Sequence, residues 1–222
     1  MKRRPLLRDE RQRVAAAARQ LAATGLVVGT AGNVSERAGE LVAVTPTGAV
    51  LAELDPEDVA VVELDGGQVG GNLRPTSELD LHLGLYRRYD ACGVVHVHPP
   101  MSTALACVID ELPVVHYQML ALGGSVRVAA YETFGSLELA EATLTALEGR
   151  VAALMANHGA IVYGASLSDA VANTELLEWA CTLYWRAASL GTPRTLDEDE
   201  QAAVVEAVVA RAYGTTQVRD EQ

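Results

Sequence analysis

The segment GVVHVHPP, residues 93–100, decides both the fold class and the place of the candidate site. It begins as an apolar run typical of a buried strand, and Pro99 and Pro100 end that strand because proline cannot donate to a β-ladder. Side chains two apart on a strand face the same side, so His96 and His98 converge at its end. Neutral imidazole is a favoured zinc ligand, although such a pair alone is as typical of two half-buried, hydrogen-bonded histidines.

A third histidine strengthens the metal interpretation. His158 follows the apolar run 151–155, within the tripeptide Asn157-His158-Gly159, so it also lies at a predicted strand end. Catalytic zinc takes three protein ligands and keeps a fourth position open. The sequence therefore predicts that a loop turns His158 toward the pair at 96–98.

The two remaining histidines have other interpretations. His82 lies four residues after Glu78, so both share one face of a predicted helix. Its possible interpretations are a fourth metal ligand, a supporting partner of the site, and a surface or packing histidine. We favour the last. His116 adjoins Tyr117 and is interpreted as structural.

Strands and helices alternate along the chain, which predicts an α/β layered domain with helices covering a sheet. Apolar runs predict strands at 41–45, 59–64, 93–98, 126–130, 151–155 and 160–163. Helices are predicted at 6–23, at 77–89 with Ser77 as cap, from 102, and at 136–147, 168–190 and 197–212. Turn signals at 65–67 and 157–159 suit hairpins, so the sheet is expected to be mixed. Residues 1–222 have the length of one domain.

Composition excludes several classes of function. The net charge of -12 argues against nucleic acid or an anionic membrane surface as the main partner. The basic start lacks the apolar stretch of a secretory signal, and no run approaches the ~20 apolar residues of a membrane span, so we expect a cytoplasmic protein. Three widely spaced cysteines predict free thiols, buried or partly buried, rather than disulfides or a thiolate metal site.

Three short segments have the composition of an anion-binding site. In Gly29-Thr30-Ala31-Gly32-Asn33 the small residues allow backbone N–H groups to approach an anion, and Thr30 and Asn33 add donors. The lysine of a P-loop is missing, and the segment taken alone is a plain turn. The pairs Thr47-Gly48 and Thr76-Ser77 are similar, and the second sits at a predicted helix start, where the dipole favours phosphate.

Glu78 follows those hydroxyls directly. A carboxylate beside a phosphate site and close to a metal is placed to move a proton next to a polarised carbonyl. Without the other motifs, Glu78 is simply an acidic residue in the first turn of a helix.

Taken in order, these motifs resemble the class II aldolase/adducin-type family, and within it the L-fuculose-1-phosphate aldolases are most similar. The resemblance extends from the first helix to Tyr213, and an ordered set of eight motifs is far more specific than any one of them. The motifs are GTAGNVS (29–35), TPTG (45–48), PTSE (75–78), HVH (96–98), HY (116–117) with GG (123–124), TFG (133–135), HG (158–159) and YG (213–214).

The resemblance implies a three-layer α/β/α fold with a mixed, mostly antiparallel sheet, and a cytoplasmic homotetramer with active sites between subunits. It implies one Zn²⁺ per subunit, held by His96, His98, His158 and, in the resting state, Glu78. It implies catalytic roles for Glu78, for Tyr117 from a neighbouring subunit and for Tyr213 in a tail that is mobile from about residue 214. The phosphate-binding residues that it implies are Thr30, Gly32, Asn33, Thr47, Gly48, Thr76 and Ser77.

The reaction implied is reversible cleavage of a 1-phospho-ketose, L-fuculose 1-phosphate or similar, to dihydroxyacetone phosphate and a short aldehyde. Zinc would stabilise the carbanion as a Lewis acid, and a Schiff base is excluded because the one lysine is Lys2. Two departures from the family pattern are Thr76 in place of serine and Ala210 in place of an aromatic residue, the latter on the aldehyde side. Glu78 favours an aldolase because the epimerases usually have aspartate there.

Three alternatives to this aldolase stay open. Two are enzymes of the same fold, a sugar-phosphate epimerase and a methylthioribulose-1-phosphate dehydratase. The third is a non-catalytic interaction module like the adducin head, against which the intact set of three histidines and Glu78 argues.

Overall fold

The computed structural model describes residues 6–211, which form a nine-stranded sheet flanked by helices. The predicted mobile tail and Tyr213 lie outside these residues. The strands are β1 Asn33–Ala38, β2 Leu41–Val44, β3 Ala60–Glu63, β4 Gln68–Gly70, β5 Gly93–Val97, β6 Glu111–Leu112, β7 Val126–Ala129, β8 Ala152–Met155 and β9 Gly159–Gly164. The helices are α1 Arg8–Ala23, α2 Leu79–Arg88, α3 Pro100–Ala106, α4 Leu137–Ala146, α5 Leu167–Leu190 and α6 Glu198–Arg211, with short 3₁₀ helices at Leu51–Glu53 and Tyr117–Leu122.

The sheet has the strand order β4-β3-β2-β1-β5-β9-β8-β7-β6. Every neighbouring pair is antiparallel except β7 and β8, which are parallel. The expected mixed, mostly antiparallel sheet is therefore confirmed. The apolar segment with the two histidines forms β5, which lies between β1 and β9 in the middle of the sheet.

Helices cover both faces of this sheet, as the three-layer expectation requires. Val94 of β5 packs in a core cluster with residues of α2 and α4, whereas Val95 and Val97 pack with residues of α1 and α5. A further cluster joins α3, α5 and the Tyr117–Leu122 3₁₀ helix to β8 and β9. Burial of each valine side chain stabilises the folded chain by about 1.5–3 kcal/mol. Because successive side chains of a strand face opposite sides, the buried valines also fix the side of the sheet that His96 faces.

Two helix starts differ from the sequence prediction. Helix α2 begins at Leu79, with Glu78 at the N-cap position and no side-chain cap, so the prediction of Ser77 as cap is wrong. Thr76 takes part instead, since its hydroxyl accepts from the Glu78 N–H at 3.2 Å. Helix α3 begins at Pro100 rather than at residue 102, because proline suits the first turn of a helix.

Two expectations from composition are tested directly. Within residues 6–211, none of the helices has the length and apolarity needed to cross a membrane. The three cysteines are free, as predicted, but Cys92 and Cys107 are exposed and Cys181 alone is buried. Cys92 precedes β5 and Cys107 follows α3, and both positions lie outside the packed core.

Candidate active site

Three histidines meet at the end of β5. The ring nitrogens of His96, His98 and His158 all lie within 4.8 Å of one another. The closest approach, between Nε2 of His96 and Nε2 of His98, is 3.0 Å. The three rings are mutually edge-on, with centroids 4.9–5.0 Å apart, so their nitrogens point at a common centre.

The hairpin between β8 and β9 delivers His158 to this cluster. Met155 pairs with Gly159, and the loop closes with a hydrogen bond from the His158 N–H to the Met155 carbonyl at 3.1 Å. Asn157 has a φ of 54°, a left-handed conformation that asparagine tolerates well. A Cβ on Gly159 would lie 2.5 Å from Cδ2 of His98, so the glycine leaves room for that ring.

The histidines present ring nitrogens to the cluster. His96 is fully buried, and its Nδ1–H donates to the Ala160 carbonyl at 2.9 Å, which leaves Nε2 facing the cluster. Burial, with His96 adding to it, lowers the pKa of His98 to about 4 and lowers the pKa of His158 as well. At neutral pH His98 and His158 are therefore uncharged ligands.

Glu78 adds a carboxylate to the cluster. Its Oε2 lies 3.2 Å from His96 Nε2 and accepts a hydrogen bond from the Asn33 side-chain amide at 2.9 Å. Its Oε1 lies 3.5 Å from His158 Nε2 and is buried without a hydrogen-bond partner. Burial alone would raise the pKa of Glu78, but His96, Asn33 and His158 together hold it below its ordinary value.

This donor set fits a metal ion. Three imidazoles and an ionised carboxylate converge, and the unpartnered Oε1 of Glu78 is a buried acceptor that a cation would satisfy. His96, His98, His158 and Glu78 can therefore hold a divalent cation.

The cluster opens into a cavity of about 400 Å³. Within residues 6–211, no Lys or Arg lines the cavity, so an anion bound by this part of the chain would rely on neutral donors. Two backbone hydrogen bonds bring the loops together, from Thr47 N–H to the Arg74 carbonyl and from Thr76 N–H to the Thr45 carbonyl, at 3.1 and 3.0 Å. All seven sequence-predicted phosphate-binding residues line it: Thr30, Gly32, Asn33, Thr47, Gly48, Thr76 and Ser77.

Sequence reasoning did not assign three residues that also line the cavity, namely Tyr131, Glu132 and Phe134. They belong to the loop between β7 and α4, and both aromatic rings are exposed. An exposed aromatic in a loop has no periodicity to mark it. Its one signal was the Thr133-Phe134-Gly135 motif, noted only as part of a resemblance.

Tyr117, one of the predicted catalytic residues, does not line this cavity. It begins the Tyr117–Leu122 3₁₀ helix, where its ring lies 4.5 Å from the ring of His116. It lines a separate apolar groove with residues of α5 and α6, including Val205 and Val209. Its predicted role across a subunit boundary stays a prediction.

His82 is neither on the surface nor one of the three converging histidines. It is fully buried in α2, where its Nδ1 lies 2.7 Å from the Ser35 hydroxyl and its Nε2 lies 2.5 Å from Oδ1 of Asn33. Our preference for a surface or packing residue missed this contact with Asn33. The helical spacing predicts that His82 lies near Glu78. It cannot predict that Asn33, on a strand, forms hydrogen bonds with both side chains.

Burial of His82 makes the stability of the protein depend on pH. Desolvation, with His96 adding to it, lowers its pKa to about 3. As the pH falls from about 6.5 to about 3, the unfolded chain binds a proton there and the folded chain does not. This residue should therefore lower the free energy of unfolding by at most about 1.4 kcal/mol per pH unit across that window.

Chemical denaturation of the metal-free protein at pH 7.5 and 5.5 measures this effect. The same pair of measurements on His82→Gln should show a smaller loss of stability on acidification. An equal loss in the two proteins would contradict the assignment to His82.

Comparison with known proteins gives a consistent result. A sequence model of the family described as Class II Aldolase and Adducin N-terminal domain matches residues 12–185. The 5-deoxy-D-ribulose 1-phosphate aldolase of Bacillus thuringiensis serovar kurstaki is 40% identical over 198 residues, which are 88% of this chain and 93% of that protein. The 5-methylthioribulose-1-phosphate/5-deoxyribulose-1-phosphate aldolase of Rhodospirillum rubrum is 41% identical over 192 residues, 86% of each chain.

A solved structure agrees with these relatives. The structure of an L-fuculose 1-phosphate aldolase superposes with a TM-score of 0.87 and 35% sequence identity, and the match covers 90% of this chain and 96% of that one. The fold described above is therefore shared by enzymes of this kind.

Proposed function

The chain belongs to the class II aldolase and adducin N-terminal domain family, and from that premise we propose that it reversibly cleaves a 1-phosphorylated ketose to dihydroxyacetone phosphate and a short aldehyde. One observation carries the proposal: three histidines and a carboxylate converge beside a cavity lined by hydroxyls and glycines. Among residues 6–211, no Lys or Arg side chain lines that cavity. Metal, proton-transfer group and anion site are thus adjacent, as this cleavage requires.

The proposed metal is zinc, one ion per subunit, because three imidazoles with a carboxylate are ligands that it favours. His96, His98 and His158 hold it, with Glu78 as a further ligand in the resting state. When bound, it supplies Lewis-acid stabilisation of the negative charge that develops as the carbon–carbon bond breaks.

Glu78 is the proposed acid/base. In the synthetic direction its carboxylate removes a proton from C3 of dihydroxyacetone phosphate, and the electron pair of that C–H bond forms the new bond to the aldehyde carbon. In cleavage the steps reverse: the C4 hydroxyl gives its proton to the aldehyde-side group, Tyr117 in this proposal, the electron pair of the C3–C4 bond passes to C3, and Glu78, protonated at this stage, gives its proton to C3. Both groups then exchange protons with water to restore their starting forms. The lowered pKa of Glu78 keeps its carboxylate ionised, ready to act as the base.

The substrate phosphate is held by the hydroxyls and backbone around Thr30, Thr47 and Ser77. A chain with a net charge of -12 repels an anion over distance, so the binding has to come from local neutral donors. Gly48, with a φ of 71°, lets its loop approach the ligand closely. The seven cavity-lining residues named above form this proposed phosphate site.

Two substrates are candidates for the reaction. The motifs favour L-fuculose 1-phosphate, whereas both 40–41% identical relatives are named for a 5-deoxyribulose 1-phosphate, the second of them for 5-methylthioribulose 1-phosphate as well. The exposed rings of Tyr131 and Phe134 at the cavity suit the terminal methyl group that both sugars carry. The higher identity of the relatives named for the 5-deoxy sugar therefore decides the order, and we place that substrate first.

We further propose a single domain and a cytoplasmic homotetramer in which Tyr117 and Tyr213 complete a neighbouring site on the aldehyde side. The apolar groove beside Tyr117 supports this assembly. Val205 and Val209 are exposed there, and contiguous apolar surface of this kind is typical of an interface.

Release of dihydroxyacetone phosphate, followed with and without a chelator, tests the proposed function. We expect chelator-sensitive release from both substrates, with kcat/KM at least about tenfold higher for 5-deoxy-D-ribulose 1-phosphate, because the two substrates differ in length by one carbon and a pocket typically discriminates about tenfold or more for such a difference. A ratio in favour of L-fuculose 1-phosphate would reverse the order of the two substrates. A C4 epimer or a dehydrated diketone from zinc-loaded protein would contradict the aldolase and indicate the epimerase or the dehydratase.

A further inference from the structure

A continuous chain of hydrogen bonds connects Glu78 to the interior of the α2 layer. It runs from Tyr86 to Ser35, His82, Asn33 and Glu78, over distances of 2.7, 2.7, 2.5 and 2.9 Å. Each of the five residues is at most 9% exposed. Asn33 and Glu78 reach the cavity, whereas Tyr86, Ser35 and His82 lie away from it in the interior.

Chemistry allows one direction of donation along this chain. An ionised carboxylate only accepts, so Asn33 presents its NH₂ group to Glu78 and its carbonyl oxygen to His82. His82 must then carry its proton on Nε2 and accept at Nδ1 from Ser35. Ser35 has given its one proton, so the Tyr86 hydroxyl donates to Ser35.

We propose that His82 is a positioning residue for Glu78, acting through the amide of Asn33. By donating to Oδ1, His82 prevents the Asn33 amide from turning over and keeps its NH₂ group on Oε2 of Glu78. The carboxylate is thereby held with Oε1 toward His158. The inference rests on the proposed function only in taking Glu78 as the proton-transfer group.

The alternative amide orientation is strongly disfavoured in this setting. With the Asn33 amide reversed, its carbonyl oxygen would face the carboxylate of Glu78 and its NH₂ would face a donor, Nε2–H of His82. Two buried acceptors would then oppose each other. His82 would also either oppose a second donor or have to move its proton to Nδ1 and reverse its bond to Ser35, and unsatisfied buried groups are costly. His82 therefore selects the orientation of Asn33 in which Glu78 is supported.

Three variants of the zinc-loaded enzyme test the proposal by kcat for dihydroxyacetone phosphate release. His82→Met keeps the side-chain volume but cannot donate, and kcat should fall about 10–100-fold while the metal is retained. His82→Gln places an amide donor near the position of Nε2, and kcat should return to within about fivefold of the wild type. Tyr89→Phe is the matched control, since it removes a bond from the end of α2 to the Leu144 carbonyl outside this chain.

The control separates positioning from mere stability. Tyr89→Phe should lower the melting temperature and leave kcat within about threefold of the wild type. The proposal is overturned if His82→Met has wild-type kcat, or if kcat in the three variants falls in proportion to their melting temperatures.

A measurement without turnover completes the test. Nitrogen NMR of the metal-free wild-type protein should show His82 as a neutral imidazole protonated at Nε2. A ring protonated at Nδ1 would overturn the inference even if His82→Met failed to fold. If no ketose phosphate is cleaved but the Nε2–H form is present, the proposed function fails while the geometry of the chain stands.

Discussion

Replacing His96 by alanine is expected to remove both the bound metal and the release of dihydroxyacetone phosphate. His96 is fully buried, and its Nε2 lies 3.0 Å from His98 and 3.2 Å from Glu78, so it touches two of the other candidate ligands. The apparent metal affinity should fall at least about 100-fold, since one ligand of a tight site contributes several kcal/mol. Elemental analysis of purified protein, alongside the activity assay, measures the two losses together.

A histidine outside the cluster serves as the control for metal content. His116 packs against Tyr117 and Trp179 and has no contact with the three converging rings. His116→Ala should therefore retain the metal. A full metal content in His96→Ala would show that the ion is held at another site.

Glu78→Gln should keep the metal and lose turnover. The amide preserves the shape of the side chain, and three histidines remain to bind the ion. It cannot accept a proton, so kcat should fall about 10²–10⁴-fold, the usual contribution of a general acid/base. The decisive assay is exchange of the C3 proton of dihydroxyacetone phosphate with D₂O, because that step needs no aldehyde and no second proton-transfer group.

Glu138→Gln is the control for loss of one negative charge. Glu138 lies in the exposed first turn of α4, outside the cavity lining, and its variant should exchange at the wild-type rate. Near-normal exchange in Glu78→Gln would remove Glu78 from the acid/base role. Loss of the metal in the same variant would instead make Glu78 chiefly a ligand.

The parts of the fold and site that sequence could predict are those governed by local rules. An apolar run with histidines two apart, ended by prolines, is sufficient to place His96 and His98 on one face of a strand. His158 was predicted because its tripeptide follows another apolar run. Interleaved elements indicated the layers, and the resemblance implied the mostly antiparallel sheet, but neither predicted the strand order. Three strands are absent from the sequence prediction. The sequence of β1 is largely polar, and β4 and β6 have only three and two residues, so none of them carries a clear apolar periodicity.

The parts that sequence could not predict depend on contacts between elements. Asn33 bonds Glu78 and His82 because β1 lies beside β5 and beneath α2, a relation that neither local spacing nor composition contains. Serine is a residue type that often caps helices, but α2 begins after Glu78, and Ser77 lines the cavity instead. Tertiary context decided both cases.

The register of β5 has a consequence for the candidate metal site. Asn33 is opposite His96 across one neighbouring strand, and Ile161 is opposite His96 across the other. A slip of one residue would turn His96 toward α1 and α5, away from its partners. The candidate ligands therefore meet only where the centre of the sheet has this register, so an ion bound at this site would depend on correct pairing of β5 with β1 and β9.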